Sequence, residues 1–369
     1  MAGFCVAGGR TGRGRSRVAP EPKGPTGAMW PKGDGRLDGF RAAVVGAGRR
    51  AAHLMRAMPA AGFEVAGVVE PDAARLAAAL EACPGARGFG DVAELVSARE
   101  GVDCAFILTP PDRHAEPFVA CVRAGLPAFC EKPADMELGA VERMRAAAVQ
   151  AGVPTLVGFN RRFTPVARLA RALTAGRPPL FVQASKSRPM AYSRMLAENA
   201  VHAADLLLWL AAAPVQAVGA AARFKDELRE IEAFAAAAVT FVGGGGGLLQ
   251  MVTGGSGGVE RLEVYGEGFT LTAELPDRGR YVGDLRALQD AARSAGLQLR
   301  EEGGGCLRVQ AGGSDPEGEL AAFATRLRGS PVEAADIEAA YAAQALVEAV
   351  YAAAGLPPTR GSTQWIRES

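Results

Sequence analysis

The chain has 369 residues, of which 49% are hydrophobic and 22% charged, an ordinary globular composition with length enough for two cores; this excludes a mostly disordered chain. Its longest apolar run, Ala200 to Ala213, is interrupted by His202 and Asp205, so no uncharged stretch reaches the roughly eighteen residues a membrane helix needs. The net charge is +1, and with seven Lys/Arg against three Asp/Glu in the first 39 residues the remainder is slightly acidic, which argues against nucleic acid as a partner.

Residues 1–39 are rich in Gly, Arg and Pro and follow neither the helical nor the strand period, so a disordered leader is expected there. It lacks the apolar core of a secretory signal, while its acid-free, Arg-rich first twenty residues and Met29 leave a transit peptide or a later start open. From Phe40 apolar runs alternate with helical stretches. Strands are predicted at Arg41 to Val45, Glu64 to Val69, Asp103 to Leu108, Ala128 to Cys130 and Thr155 to Val157, with helices such as Ala73 to Glu81 and Ala140 to Ala151 between them. That alternation predicts an α/β nucleotide-binding domain over 40–157, a doubly wound parallel sheet covered on both faces.

An α+β domain is expected over 158–356, with a tail at 357–369. Helices are predicted near Thr164 to Ala175 and Leu196 to Ala213. Strand-like runs at Ala235 to Val242, Leu248 to Val252, Arg261 to Val264 and Phe269 to Ala273 follow as a large, open, mainly antiparallel meander, with Gly243 to Gly247 and Gly254 to Gly258 as turns. Two further helices, Glu317 to Arg328 and Glu333 to Ala354, close the domain. The six cysteines show no C-x-x-C pair and no metal-ligand spacing; they read as reduced, mostly buried thiols of a cytoplasmic protein, and no metal site is expected.

Gly46-Ala47-Gly48-Arg49-Arg50-Ala51 follows a predicted strand and opens a helix, the setting in which G-x-G-x-x-G/A has a physical meaning. Gly46 permits the tight turn, Gly48 lets backbone approach a pyrophosphate, and small Ala51 lets helix and strand pack closely. The phosphate charge then rests on free N–H groups at the helix N-terminus. Glu70 ends the second strand at the spacing required of a ribose-binding carboxylate. It favours NAD over NADP, although Arg49 and Arg50 lie near enough to offset repulsion of a 2′-phosphate.

Thr109-Pro110-Pro111 with His114, Glu131-Lys132-Pro133 and Gly158-Phe159-Asn160-Arg161-Arg162-Phe163 each close a strand. Together with Glu198-Asn199-Ala200-Val201-His202-Ala203-Ala204-Asp205 they resemble the glucose-fructose oxidoreductase, inositol dehydrogenase and rhizopine-catabolism (Gfo/Idh/MocA) family, over about Phe40 to Leu356. The resemblance implies a Rossmann domain, Lys132 touching both nicotinamide ribose and substrate oxygen, His202 as acid/base residue, and Glu131 with Thr109, Pro110 and His114 lining the cofactor. It also makes Lys132-Pro133 a candidate cis bond. Where that family usually has Asp four residues before the histidine, this chain has Glu198, and the stretch between Lys186 and Glu198 is short.

Oxidising a secondary alcohol requires a base for the hydroxyl proton and stabilisation of alkoxide character while hydride leaves; His202 and Lys132 supply these, and no metal is required. On one helix, Glu198, His202, Asp205 and Trp209 would share a face. Glu198 then either orients His202 or binds substrate hydroxyls, Asp205 is either a substrate contact or a buried acceptor, and Asn160 and Arg161 are either substrate contacts or a hinge. The expectation is an NAD-dependent oxidoreductase acting on a hydroxyl of a sugar, cyclitol or sugar derivative. A non-catalytic NAD-binding regulator and an NAD-dependent glycosidase using transient oxidation are the alternatives. By the same resemblance the open sheet face forms a homodimer or homotetramer interface.

Overall fold

In the computed structural model the described residues are 39–98, 101–189, 194–226, 231–255, 257–311 and 318–356; the expected leader up to residue 38 and the 357–369 tail lie outside them. The first unit alternates strands β1 (Phe40–Val45), β2 (Phe63–Val69), β3 (Arg87–Phe89), β4 (Cys104–Ile107), β5 (Ala128–Cys130) and β6 (Thr155–Val157) with helices α1 (Arg49–Ala57), α2 (Ala73–Ala82), α3 (Val92–Ser97), α4 (Ala115–Arg123) and α5 (Leu138–Ala151). The strands line up as β3-β2-β1-β4-β5-β6 and every neighbouring pair is parallel. Successive residues of β1 point to opposite faces: Ala43 and Val45 join a core with α4 and α5, while Ala42 and Val44 join one with α1. A strand buried on both faces is why these runs are apolar without alternation. β3 escapes sequence reading because, of its three residues, only Phe89 is buried, too little to show a period.

The second unit contains α6 (Pro165–Thr174), β7 (Phe181–Arg188), α7 (Met195–Glu198), α8 (Val201–Ala211), β8 (Val215–Phe224), β9 (Glu232–Phe241), β10 (Gly246–Thr253), β11 (Val259–Gly266), β12 (Phe269–Glu274), β13 (Arg278–Val282), α9 (Leu285–Ser294), β14 (Leu297–Gly303), β15 (Cys306–Ala311), α10 (Gly318–Leu327) and α11 (Ile337–Ala353). Its nine described strands run β14-β15-β13-β12-β11-β7-β10-β9-β8. The expected meander is therefore corrected at its centre. β10 and β11 are not neighbours; β7 lies between them, parallel to β10 and antiparallel to β11. The connection from β10 to β11 therefore skips a strand and is not the expected hairpin, whereas the chain reverses between β9 and β10 through Gly243, Gly244 and Gly245, all at positive φ (90°, 103° and 86°). Such a run admits few residues but glycine.

The single helix expected over Leu196 to Ala213 is broken. α7 ends at Glu198, the Asn199 and Ala200 N–H groups both donate to the Met195 carbonyl, and α8 restarts at Val201. Glu198 and His202 therefore do not share one helical face. α6, α8, α9 and the second half of α11 cover the inner face of the second sheet, where Leu169, Leu207, Leu288 and Val347 are buried.

α10 follows the second sheet in sequence but packs on the first. Phe323 is completely buried among Phe63, Phe106 and Phe129, with ring centroids 5.9, 5.5 and 6.0 Å away. Truncation of Phe323 to Ala is expected to lower unfolding free energy by about 3–5 kcal/mol. Guanidinium unfolding followed by far-UV circular dichroism checks this, and an unchanged midpoint refutes the placement of α10.

Candidate active site

The carboxyl ends of β1, β2, β4, β5 and β6 form one rim of the site, as expected for an open parallel sheet. Gly46 turns the chain after β1 at φ 96°, and a Cβ there would lie 2.9 Å from the Thr109 nitrogen, so two strand-end loops cross where only glycine fits. Gly48, the N-cap of α1, has open space where its Cβ would be, and no side chain caps the helix. Ala51 is fully buried against the sheet. A free helix N-terminus beneath an unfilled cradle suits a pyrophosphate. Arg49 is exposed beside it.

Glu70 closes β2 and accepts the Ala47 N–H at 2.9 Å, which couples it to the glycine turn. Arg75, which sequence reading did not single out, donates Nη2 and Nε to the other carboxylate oxygen at 2.7 and 3.1 Å. Burial opposes ionisation of Glu70, but Arg75 and the Ala47 and Asp72 N–H groups outweigh it and hold the carboxyl below its usual range. Arg50 turns away from this end: it bonds Glu131 and, at 2.6 Å, Glu319. It therefore ties the start of α1 to Glu131 after β5 and to Glu319 on α10.

The second half of the site is a cleft of ≈ 380 Å³ between the two units. Lys132, Glu131, Thr109 and His114 line it from the first unit, and His202 from α8; Asn160 and Arg161 line it at the join. The sequence-predicted lysine and histidine are thus brought to one cavity. The Lys132–Pro133 bond is cis, and Lys132 Nζ donates to the Glu198 carbonyl oxygen at 3.1 Å, reaching across to α7. His114 is buried, its ring nitrogens each 2.8 Å from a carbonyl oxygen, of Pro133 and of Thr109, so it ties the two strand-end loops together. Thr109 Oγ1 donates to the Arg113 carbonyl, and Pro110 is exposed at the mouth of that loop.

His202 is 3% exposed, stands edge-on to Phe159, and its Nδ1 has no hydrogen-bond partner among the described residues. Burial, reinforced by Lys132, Lys186, Arg161 and Arg188, pushes its pKa well below the usual imidazole value. Burial likewise lowers Lys132, with Glu131 and Glu198 opposing. Burial raises Glu198, with Lys132 opposing. Among the described residues no hydrogen bond joins Glu198 to His202, so orientation of the imidazole by that carboxylate is not what the structure contains.

Asp205 is corrected from substrate contact to structural acceptor. It is 1% exposed, lies outside the cleft lining, and receives both Nε and Nη2 of Arg162 at 2.8 and 2.5 Å, with Trp209 flanking the guanidinium. Sequence reading missed Lys186, Arg188 and Glu260. Lys186 lies directly opposite Glu260 in the β7–β11 register, and its Nζ is 3.1 Å from the carboxylate. Arg161 grips the same carboxylate through two nitrogens at 2.8 and 2.7 Å, and Arg188 reaches it at 3.3 Å. Burial drives Lys186 down to about 7 in spite of Glu260, while the surrounding cations outweigh burial and hold Glu260 at about 2. The available signal was scarcity, since Lys186 is one of five lysines. A larger groove of ≈ 870 Å³ beside Arg168, Arg171 and Trp209 shares none of the lysine, histidine or glycine-turn residues.

Residues 40–159 match the family model described as "Oxidoreductase family, NAD-binding Rossmann fold", and residues 171–272 match the "GFO/IDH/MocA C-terminal domain". The chain belongs to the Gfo/Idh/MocA oxidoreductase family. Its first unit is that family's NAD-binding Rossmann domain. An inositol 2-dehydrogenase of Corynebacterium glutamicum is 33% identical over 190 residues, 48% of this chain and 56% of that protein, so the chain spans about half the length of the curated relatives it matches. Among solved structures, the WlbA dehydrogenase from Bordetella pertussis, in complex with NADH and UDP-GlcNAcA, superposes with a TM-score of 0.67 at 21% identity, covering 86% of this chain and 96% of that one. The UDP-N-acetylglucosamine 3-dehydrogenase GnnA from Acidithiobacillus ferrooxidans does so at 0.66 and 20%, covering 85% and 97%. Both likenesses concern the Gfo/Idh/MocA fold.

Asp205→Ala strands a buried guanidinium and is expected to cost about 3–5 kcal/mol, with Arg162→Met added on top recovering part of it; denaturant titration of the single and double variants decides. Lys186 binds its proton less readily folded than unfolded, so between about pH 7 and the ordinary lysine value of 10.5 its contribution makes stability rise with pH. Subtracting the stability-versus-pH curve of Lys186→Met from that of the parent should leave this slope; a flat difference would contradict the buried placement.

Proposed function

We propose that this chain is an NAD-dependent dehydrogenase that passes hydride between the nicotinamide and a carbinol carbon of a sugar, cyclitol or sugar derivative. One observation carries the reading: Lys132 and His202, from different units, line the same cleft, and the imidazole there is buried with Nδ1 open. The inositol dehydrogenase likeness at 33% identity supports the substrate class.

When bound, NAD supplies the hydride acceptor. The turn Gly46 to Ala51 and the start of α1 would hold its pyrophosphate, and Glu70 would accept from its ribose hydroxyls. Glu131 and the loop with Thr109, Pro110 and His114 flank the nicotinamide half. Lys132 stabilises negative charge on the substrate oxygen through Nζ, and His202 takes the hydroxyl proton. A histidine whose pKa is pushed down is a weak base in isolation. The same cations that lower it, however, also favour the alkoxide, so the loss of basicity at the imidazole is offset by greater acidity of the substrate hydroxyl. Asn160 and Arg161, which line the cleft, orient the remaining hydroxyls, while Glu198 lies outside the lining and meets Lys132 through its carbonyl oxygen.

The outer face of the second sheet, with Ala236, Ala238 and Thr240 of β9, supports a homodimer or homotetramer formed through that sheet. The described cysteines are free, which supports a reducing, cytoplasmic setting. No helix among the described residues is long and apolar enough to cross a membrane.

Nicotinamide reduction with a panel of cyclitols, sugars and sugar acids tests the reading. Lys132→Ala and His202→Ala are each expected to lower kcat/KM by about 10²–10⁴-fold. Because the His202 pKa is depressed, the acidic limb of the parent kcat/KM profile should fall below the ordinary imidazole value of about 6.5. Unchanged turnover in both variants, or NAD binding with no redox change on any substrate, defeats the proposal.

A further inference from the structure

The cleft wall opposite the nicotinamide half is rich in basic side chains. Three cations, Arg161, Lys186 and Arg188, converge on the single carboxylate of Glu260 at 2.7, 3.1 and 3.3 Å. Lys186 is 2% exposed, so its ammonium has left water almost completely. Lys132 stands across the same cleft with a backbone carbonyl as its hydrogen-bond acceptor, and Arg50 is taken up by Glu131 and Glu319. Buried cations without matching anions are costly, and a neutral polyol offers them dipoles but no compensating charge. Burial first, and then four surrounding cations, depress the affinity of His202 for a proton.

Resting on the dehydrogenase reading, we infer that the substrate carries a carboxylate beside its hydroxyls, a polyhydroxy acid, and that Lys186 and Arg188 of β7 receive it. The two side chains are two residues apart on one strand and so project from the same face. With Arg161 they already hold one carboxylate, that of Glu260, which shows the group their donors fit. Arg188 completes the argument because it is 35% exposed at the cleft mouth: Nε donates to Asn199 Oδ1 at 3.1 Å and Nη2 meets Glu260 at 3.3 Å, which leaves the Nη1 end of the guanidinium for a carboxylate. His202 Nδ1 in the same cleft is then available to the hydroxyl on the adjoining carbon. Lys186 and Arg188 are thus specificity-determining residues, distinct from the proton-handling pair.

The test is calorimetric titration of the NAD-loaded full chain with D-gluconate, sorbitol and D-glucose 6-phosphate at constant ionic strength. Gluconate is expected to bind at least about tenfold more tightly than sorbitol, and Arg188→Gln should erase that preference. Lys186→Gln should act alike; should it fail to fold, the Arg188 variant still decides. Equal affinities in the parent, no binding of gluconate, a preference for the phosphate, or a uniform loss for both ligands in Arg188→Gln overturns the inference. Turnover of neutral polyols without preference for the acid removes the inference and leaves the dehydrogenase reading. Tight acid binding that yields no NADH from any polyhydroxy acid or neutral polyol does the reverse.

Discussion

Two consecutive arginines, Arg161 and Arg162, hold the cleft open by turning in opposite directions from one short turn after β6. Arg161 grips Glu260 on β11, and Arg162 grips Asp205 on α8. Both pairs are charge-assisted and bidentate, so they fix angle as well as distance. They tie the carboxyl end of the first sheet to a strand and a helix of the second unit. That joint helps to set Lys132, which belongs to a loop after β5, against His202, which belongs to α8. The interaction is a geometric constraint more than a source of stability. Buried ion pairs roughly cancel their desolvation cost, and what they add is intolerance of any other arrangement.

The electrostatics of the cleft follow from the same joint. Bringing Arg161 to Glu260 places it beside Lys186 and Arg188, and β7 contributes those two because it occupies the middle of the second sheet. A strand at the centre presents its inward side chains to the helical layer and, at its carboxyl end, to the cleft. Val182 and Ala184 pack, while Lys186 on the same face meets the cavity. The resulting concentration of positive charge favours an alkoxide and disfavours an imidazolium.

The two units also share core. α10 lies after the second sheet in the chain and yet buries Phe323 among three phenylalanines of the first, and α11 begins against α5 before running along α8. Rotation of one unit against the other must therefore work around apolar packing as well as ion pairs, which keeps the two walls of the cleft in register.

Local chemistry was enough to read the nucleotide half from sequence. A glycine turn between an apolar strand and a helix, with Glu70 ending the next strand, requires only neighbours along the chain, and backbone sterics at Gly46 leave no alternative. The strand-end motifs around Thr109, Lys132 and Asn160 were legible for the same reason, since every parallel strand delivers its carboxyl end to one rim. Tertiary structure decided the other half. β7 was hidden because its alternation runs through a lysine that only a cavity explains. The break after Glu198 hid in a run of good helix formers, and whether Asp205 faces substrate or Arg162 depends on a residue 43 positions away. Pairing across sheets and burial of charge are long-range choices. No periodicity within a segment records them.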